Sequence, residues 1–335
     1  MTDPIVTESL VKVFPPETRA VDGVTFSVRE GEVFGFLGPN GAGKTTTVQM
    51  LTTLLTPTSG RAEVAGIDVR AHPDQVRRRV GIVFQESTCD DELSGRENLE
   101  LSAALYGVPP GEARSKSKDL LERMQLKDAA DRRVKTYSGG MRRRLELAAG
   151  LLHSPHLLFL DEPTLGLDPQ GRAGLWEYVR QLRKETGITV FMTTHYLDEA
   201  DQMCDRIAII DHGKIVATGT PSELKEKVGG DVVTLSTDGS ASDISSALQQ
   251  LPGVVSVARQ PPGYRIVCRQ GEAVVPLAVG ACSQAKVGLT NVSVKKPTLD
   301  EAFLQVTGRE FREDGGGPSD IDRTMRVNQW RGRQR

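Results

Sequence analysis

The sequence contains little that would tie it to an oxidising compartment, a membrane span or a nucleic acid. Its four cysteines never fall in a C-x-x-C spacing, which argues against a zinc site or a redox pair and favours reduced thiols in cytosol. No apolar run approaches the roughly 20 residues that a bilayer span needs, so a membrane role would require a partner chain. The segment Met1–Pro4 lacks the charged and then apolar pattern that is typical of a signal peptide, so none is expected here. The net charge of −2 predicts no nucleic-acid partner.

The 335 residues divide into stretches with different orders of predicted elements. Over residues 5–228, antiparallel strands precede alternating strands and helices, which predicts an α/β domain around a mostly parallel sheet. Over residues 231–308, the order strand, helix, strand, strand, helix, strand and a closing helix predicts a small α+β domain of ferredoxin-like type. Residues 313–335 have glycines, few core-forming side chains and a basic end, which predicts a disordered tail that is either solvated or in contact with anionic lipid or a partner.

One glycine-rich run fits the phosphate-binding pattern G-x-x-x-x-G-K-[ST] at every position. Its glycines let successive N–H groups turn onto phosphates, Lys44 adds a charge near the β- and γ-phosphates, and the Thr45 hydroxyl can ligate Mg²⁺. A predicted buried strand, Val33–Leu37, precedes the run, and a predicted helix, Thr46–Leu51, follows with its N-terminus facing the phosphates. The predicted nucleotide-binding residues are Gly38, Pro39, Asn40, Gly41, Ala42, Gly43, Lys44, Thr45 and Thr46.

Two carboxylates end the apolar run Leu157–Leu160. A buried strand that delivers a carboxylate at its C-terminal end is where a Mg²⁺ partner belongs in such a sheet. Asp161 is therefore the candidate for holding Mg²⁺, and Glu162 the candidate for orienting and deprotonating the water that attacks the γ-phosphate. Such a pair alone could simply terminate a strand, but the phosphate-binding run favours the catalytic interpretation.

A second anion-binding helix start is predicted at Ser138, which can cap a helix whose first residues, Gly139 and Gly140, leave N–H groups exposed. Arg142–Arg144 occupy its first turn, where the helix dipole disfavours cations. These arginines indicate either nearby negative charge, from nucleotide or protein, or three solvated side chains.

Three further residues are candidates by position. Gln85 follows a predicted strand and could touch Mg²⁺ or the attacking water, while His195 follows another and could donate to the γ-phosphate. Phe14 could stack on an adenine ring or serve as a core side chain. Each of these three patterns alone is also typical of an ordinary structural residue.

Taken in order, the motifs resemble those of the ATP-binding cassette (ABC) ATPases. The Walker A loop would be Gly38–Thr46, the Q-loop Gln85 and the signature Ser138-Gly139-Gly140. The Walker B strand would be Leu157–Asp161 with Glu162 after it, the D-loop Gly166-Leu167-Asp168 and the switch histidine His195. The signature departs from the usual Leu-Ser-Gly-Gly-Gln because Tyr137 and Met141 flank it, and Phe14 stands where the family usually has tyrosine.

Within this family the chain is most similar to the nucleotide-binding subunits of bacterial drug-resistance exporters of the daunorubicin/doxorubicin type. The supporting segments are Ala20–Val24, Ser94–Leu99, Pro297–Leu304 and Thr307–Glu310.

The resemblance implies a P-loop NTPase cassette with a helical subdomain at about residues 86–152. It also implies that two copies pair head-to-tail and sandwich two ATP molecules, each with Mg²⁺, between Walker A of one and Ser138-Gly139-Gly140 of the other. Residues 86–135 would carry the motion to a separate membrane permease that exports a drug or another hydrophobic compound. The chain would then be cytoplasmic, peripheral on the inner face of the cell membrane.

Two other functions stay open on the sequence. One is a soluble ABC ATPase that acts on ribosomes or DNA, although such proteins usually carry two cassettes or inserted modules. The other is a ligand-gated ATPase in which residues 231–308 bind the ligand.

Overall fold

The computed structural model describes residues 3–227, 229–238 and 243–307, which form two compact units divided between Thr218 and Gly219. The division falls before the boundary expected near residue 230, because the helix that follows Gly219 packs against the last helix of the second unit. The predicted boundaries stay a prediction, and the predicted tail at 313–335 lies outside the described residues.

The described strands that begin in the first unit are β1 (Ile5–Phe14), β2 (Thr18–Val28), β3 (Val33–Leu37), β4 (Ser59–Val64), β5 (Ile67–Asp68), β6 (Val80–Val83), β7 (Leu157–Asp161), β8 (Thr189–Thr194), β9 (Arg206–Asp211) and β10 (Lys214–Gly219). Its described α-helices are α1 (Lys44–Leu51), α2 (Pro73–Arg79), α3 (Gly95–Leu105), α4 (Pro110–Arg123), α5 (Gly139–Leu151), α6 (Pro169–Thr186) and α7 (Leu197–Met203).

These strands form two sheets, as the predicted fold class requires. The first is antiparallel, in the order β2-β1-β4-β5, and the second has the order β10-β9-β3-β8-β7-β6 with parallel pairing from β9 to β6. The α/β class with a mostly parallel core and an antiparallel beginning is confirmed. Strands β4 and β5, which complete the antiparallel sheet, were not predicted from the sequence.

The parallel sheet owes its central position to strands that are apolar on both faces. Every residue of β3, β7 and β8 is buried, as expected for parallel strands covered on both sides. A cluster of phenylalanines packs with ring centroids 5.5 to 5.8 Å apart, namely Phe26, Phe34, Phe36, Phe159 and Phe191. This core fixes the C-terminal ends of the three strands next to one another, with Leu37 opposite Thr194 and Asp161 opposite Thr193.

The helices between β6 and β7 begin where their sequences supply caps. Ser94 caps α3 in a reciprocal capping box with Glu97, and Pro110 occupies the first position of α4, where the missing N–H costs nothing. Ser138 caps α5 by accepting a hydrogen bond from the Met141 N–H. The sequence predicts helices over Glu97–Tyr106 and Glu112–Met124, and both ends of each lie within two residues of the ends of α3 and α4.

The second unit has the predicted ferredoxin-like order. Its described elements are α8 (Pro221–Glu226), β11 (Asp231–Thr237), α9 (Ser245–Gln249), β12 (Val254–Gln260), β13 (Gly263–Cys268), α10 (Gly271–Gln284), β14 (Leu289–Lys295) and α11 (Leu299–Thr307). The sheet order β12-β13-β11-β14 is antiparallel throughout. Alternate residues Val233, Leu235 and Ile266 form its core with side chains of α9 and α10, as the period of two predicts. The sequence predicts the helix that corresponds to α9 over residues 242–251, and the first of these residues lies outside the described ones.

None of the helices within the described ranges combines the length and apolarity needed to cross a bilayer.

Candidate active site

The phosphate-binding run connects β3 to α1, and its conformation requires glycine. Gly43 has φ 105°, and a Cβ atom there would lie 2.3 Å from the Ala20 carbonyl oxygen. Gly41 has φ 79° with open space where a side chain would be. Both values lie in the left-handed region that other residues avoid. The run thus presents backbone N–H groups at the N-terminus of α1, which suits a bound anion.

Lys44 begins α1 and is 4% exposed. Its ammonium donates to the carbonyl oxygens of Gly38 at 2.7 Å and Pro39 at 3.1 Å, and Glu162 Oε1 lies 3.1 Å away. Burial lowers the pKa of Lys44, while the charge of Glu162 opposes this effect. The Lys44 ammonium is therefore held beside the phosphate-binding loop by two carbonyls of that loop and by the carboxylate of Glu162.

Asp161 ends β7 with its carboxylate beside two threonine hydroxyls. Thr45 Oγ1 donates to Asp161 Oδ1 at 3.3 Å, and Thr193 Oγ1 donates to the same oxygen at 2.5 Å. Burial raises the pKa of Asp161, and these two hydrogen bonds act against that rise. The structure thus brings Thr45 and Asp161 together, as expected of a shared Mg²⁺ site.

Glu162 turns away from the strand because its φ is 46°, a value that non-glycine residues rarely adopt. Its N–H donates to Thr193 Oγ1 at 3.0 Å and to the Thr193 carbonyl at 3.2 Å. Its carboxylate lies between Lys44 and His195, with Oε2 3.1 Å from His195 Nδ1. Burial alone would raise the pKa of Glu162, but the neighbouring His195 ring and the Lys44 charge outweigh it, so the pKa is lowered.

Five of the predicted site residues therefore form one cluster at the carboxyl edge of β3, β7 and β8. Four of them are buried, namely Lys44, Asp161, Glu162 and His195, and Thr45 is half-buried. In the described chain, no group of three or more His, Cys, Asp or Glu side chains could by itself hold a metal. A metal ion here would rely on hydroxyl or substrate oxygens beside Asp161. The roles assigned to these residues from the sequence stay predictions.

The other predicted residues lie outside this cluster. Gln85 is exposed just after β6, and Phe14 is half-buried at the end of β1 with Lys12 Nζ 5.2 Å from its ring centroid. The start of α5 and the D-loop line a cavity of about 670 Å³, which includes Ser138, Gly139, Gly140, Leu167 and Asp168. Within the described residues, no hydrogen bond links these groups to the cluster around Lys44.

The arginines of α5 have protein partners. Arg142 Nη1 lies 2.6 Å from Asp91 Oδ1, Arg144 Nη1 donates to the Met124 carbonyl at 3.1 Å, and Arg143 is buried. Of the two alternatives, solvated side chains or a nearby negative group, the structure supports protein acceptors.

Sequence reasoning missed a threonine–glutamate network behind the cluster. Glu199 on α7 is 5% exposed and accepts hydrogen bonds from Thr164 and from Thr194 Oγ1, the latter at 3.1 Å. Thr194 Oγ1 accepts in turn from the Tyr196 N–H at 2.9 Å, which holds the loop that carries His195. Burial raises the pKa of Glu199. Nothing in the local sequence pattern marked Thr193 or Glu199, because Thr193 bonds to Asp161, 32 positions away, and one of the two partners of Glu199, Thr164, lies 35 positions away.

The sequence is similar to two protein families and to several known ATP-binding proteins. Residues 21–165 match the family described as "ABC transporter", and residues 219–307 match "ATP-binding protein DrrA1-3-like, C-terminal domain". The chain is 44% identical over 309 residues to the "Daunorubicin/doxorubicin resistance ATP-binding protein DrrA" of Streptomyces peucetius, covering 92% of this chain and 93% of that protein. It is 38% identical to the "Linearmycin resistance ATP-binding protein LnrL" of Bacillus subtilis, covering 91% and 99%.

The fold is also similar to that of solved ABC transporter subunits. The structure of cbiO1 from Clostridium perfringens, described as part of the ABC transporter complex cbiONQ, aligns with a TM-score of 0.62 at 29% identity, covering 68% of this chain and 94% of that one. Together with the phosphate-binding loop and the carboxylate cluster, these matches show that the chain belongs to the ABC transporter family, as an ATP-binding ATPase subunit of the group that includes the DrrA resistance proteins.

Proposed function

We propose that this chain hydrolyses ATP on behalf of a separate membrane permease and thereby drives export of a drug or another hydrophobic compound. The observation that carries the proposal is the cluster in which the Lys44 ammonium lies 3.1 Å from the Glu162 carboxylate and the Thr45 hydroxyl lies 3.3 Å from the Asp161 carboxylate. The names of the relatives speak of resistance to daunorubicin, doxorubicin and linearmycin. These names favour an exporter over an ATPase that acts on ribosomes or DNA.

The proposed substrate contact is the loop that precedes α1. Its N–H groups and the Lys44 ammonium would bind the β- and γ-phosphates, and Phe14 would stack on the adenine. Since Lys44 now faces Glu162 at 3.1 Å, the phosphates and Glu162 compete for the same cation.

The donor set fits a magnesium ion. Thr45 and Asp161 supply a hydroxyl and a carboxylate oxygen on the same side of the loop, which are ligands that Mg²⁺ accepts together with substrate oxygens. Thr45 and Asp161 would hold the ion, with Gln85 as a further contact, and the bound ion would neutralise phosphate charge.

Glu162 is the proposed general base. Both the His195 ring and the Lys44 charge lower the pKa of Glu162. When Lys44 turns to the phosphates, one of these two influences is removed, so the carboxylate becomes a better acceptor for the proton of the attacking water. His195, 3.1 Å from Glu162 Oε2, would keep that carboxylate oriented and sense the γ-phosphate through its ring.

The second copy is proposed from the start of α5. Ser138 and Gly139 are exposed and line the cavity of about 670 Å³ together with Asp168. A helix start that faces outward suits the phosphates of a nucleotide bound to another copy, which supports a head-to-tail homodimer with two shared ATP molecules.

The permease contact is proposed on α3. Leu101 and Leu105 are 48% and 80% exposed and lie one turn apart, so they form an apolar strip that a cytoplasmic segment of a permease could cover. This placement would put the chain in the cytoplasm, on the inner face of the membrane.

Phosphate release from ATP by the purified chain tests the chemistry. We expect hydrolysis that requires Mg²⁺, is lost in Lys44→Ala, and persists in Lys127→Ala, a matched change of an exposed lysine paired with Glu122. Hydrolysis that survives Lys44→Ala would contradict the site.

The transport role needs a second experiment. Tagged Glu162→Gln chain, isolated from membranes of its host with ATP present, should carry a polytopic membrane protein with it. Recovery of ribosomes or DNA in place of such a protein would move the ATPase to the alternative function.

A further inference from the structure

Arg143 connects the helix that starts at Ser138 to the backbone of the hydrolytic cluster. It is the fifth residue of α5 and so lies in the second turn, not in the first turn as the sequence predicted, and it is only 7% exposed. A buried guanidinium is costly unless its charge is balanced and its N–H groups all have acceptors. Here the charge is balanced by Glu146, one turn further along the helix, whose Oε2 lies 2.8 Å from Arg143 Nη1.

The remaining N–H groups of Arg143 all donate to backbone carbonyls. Nε donates to the Pro163 oxygen at 2.6 Å, and Nη2 donates to the oxygens of Asp161 at 3.3 Å and Glu162 at 3.0 Å. Nη1 donates to the carbonyl of Phe84, the residue before Gln85. With Glu146, every N–H of the guanidinium has an acceptor.

The three consecutive carbonyls of 161–163 can meet one guanidinium only because the chain turns sharply at Glu162, whose φ is 46°. That left-handed conformation is unfavourable for a residue with a side chain and persists where surrounding contacts hold it. Arg143 holds this turn from the carbonyl side, and Thr193 holds it from the N–H side.

On this geometry, and resting on the proposed function, we propose that Arg143 is a positioning residue for ATP hydrolysis. It holds the backbone that aims the carboxylates of Asp161 and Glu162, and it ties that backbone to α5 and to the entrance of the segment after Phe84. A nucleotide of the second copy that moves Ser138 would thus move the hydrolytic carboxylates of this copy. Lysine cannot replace the residue, since its three donors lack the planar fork that reaches the oxygens.

The test is Arg143→Lys in the full chain, with Arg206→Lys as the matched control. Arg206 also donates to a carboxylate and a carbonyl, those of Glu32 and Ser27, but contacts no residue of the cluster. We expect kcat for ATP hydrolysis to fall about 100-fold in Arg143→Lys, because small misplacement of a reacting group costs about that much. The KM for ATP should change by less than about threefold, since Arg143 does not touch the phosphate-binding loop.

Arg206→Lys should keep kcat within about twofold even if it unfolds at a lower temperature. Arg143→Gln, tested in parallel, should show the same split between kcat and KM. A kcat near that of the unmodified chain in either Arg143 variant would overturn the proposal. So would loss of ATP binding in both, because Arg143 would then be needed for the fold alone. If the unmodified chain does not hydrolyse ATP, the proposed function fails first, which is a distinguishable result.

Discussion

Replacing Glu162 by glutamine tests two consequences of one contact. The carboxylate lies 3.1 Å from the Lys44 ammonium and 3.1 Å from His195 Nδ1, and its side chain is 6% exposed. Glutamine keeps the size and removes both the charge and the ability to accept a proton. General-base catalysis typically contributes about 10²- to 10⁴-fold, so kcat should fall by that factor.

The same change should strengthen ATP binding. At an effective dielectric constant of about 20, two unit charges 3.1 Å apart attract by about 5 kcal/mol before desolvation is counted. Most of that attraction is offset by the cost of burying both charges, and Lys44 retains the carbonyls of Gly38 and Pro39. We therefore expect a net gain of about 1.4 kcal/mol, which is about tenfold in Kd for ATP.

The assays are phosphate release under single-turnover conditions and titration with a fluorescent ATP analogue. The matched control is Glu32→Gln, another buried glutamate paired with a cation, here Arg206 at 2.9 Å, which should leave both kcat and Kd unchanged. A Glu162→Gln chain that hydrolyses at more than a tenth of the original rate would refute the assignment of the base. Weaker ATP binding in that variant would refute the competition for Lys44.

Three further changes probe the support of the site. Thr193→Val removes the hydroxyl that donates to Asp161 and accepts from the Glu162 N–H. This change should lower the free energy of unfolding, measured with denaturant, by about 1 to 3 kcal/mol, and it should lower kcat. The control is Thr52→Val, whose hydroxyl bonds only its own helix and whose loss should lower the free energy of unfolding by less. The pKa of Glu199 is raised from 4.5 by burial, so its ionisation reduces stability as pH rises through the folded pKa. Glu199→Gln should then unfold at higher denaturant than the unmodified chain at about pH 8 and lose that advantage toward about pH 5; an advantage that grows toward acid would contradict the sign. Phe191→Ala empties the aromatic core, where Phe191 is fully buried, and should destabilise the first unit by about 3 to 5 kcal/mol, measured by thermal unfolding with and without ATP; a loss below about 1 kcal/mol would show that the core collapses around the gap.

The elements that the sequence predicted well are those whose evidence is local. Runs such as Val33–Leu37 and Leu157–Leu160 are apolar without alternation, which fits strands buried on both faces, and all lie in the parallel sheet. Strand β4 could not be recognised in the same way. Its first residues, Ser59–Arg61, are exposed, so no periodic pattern marks them, and they become a strand through pairing with β1.

The site shows the same division. The phosphate-binding run was visible because several glycines and a lysine are compressed into one loop. Thr193 was not visible, since it acts on Glu162, which lies 31 positions away along the chain. The arginine run that includes Arg143 was noticed, but its acceptors were not predicted, because Pro163 lies 20 positions away. The φ of 46° at Glu162 carries no sequence signal either, because glutamate is not a residue type that turns select.

The residue type at the N-cap of α5 carries information about function that can be read from the sequence alone. Ser138 Oγ accepts from the Met141 N–H at 3.3 Å, so one of its lone pairs is committed to the helix. A hydroxyl can donate while it accepts, so in the proposed homodimer Ser138 would still have a proton to donate to a phosphate oxygen of the nucleotide bound to the second copy. Aspartate would cap the helix as well, yet it has no proton to donate and would repel the phosphate. In the proposed homodimer, serine would therefore serve both as the cap and as a donor to the anion, which favours serine over aspartate at this exposed helix start.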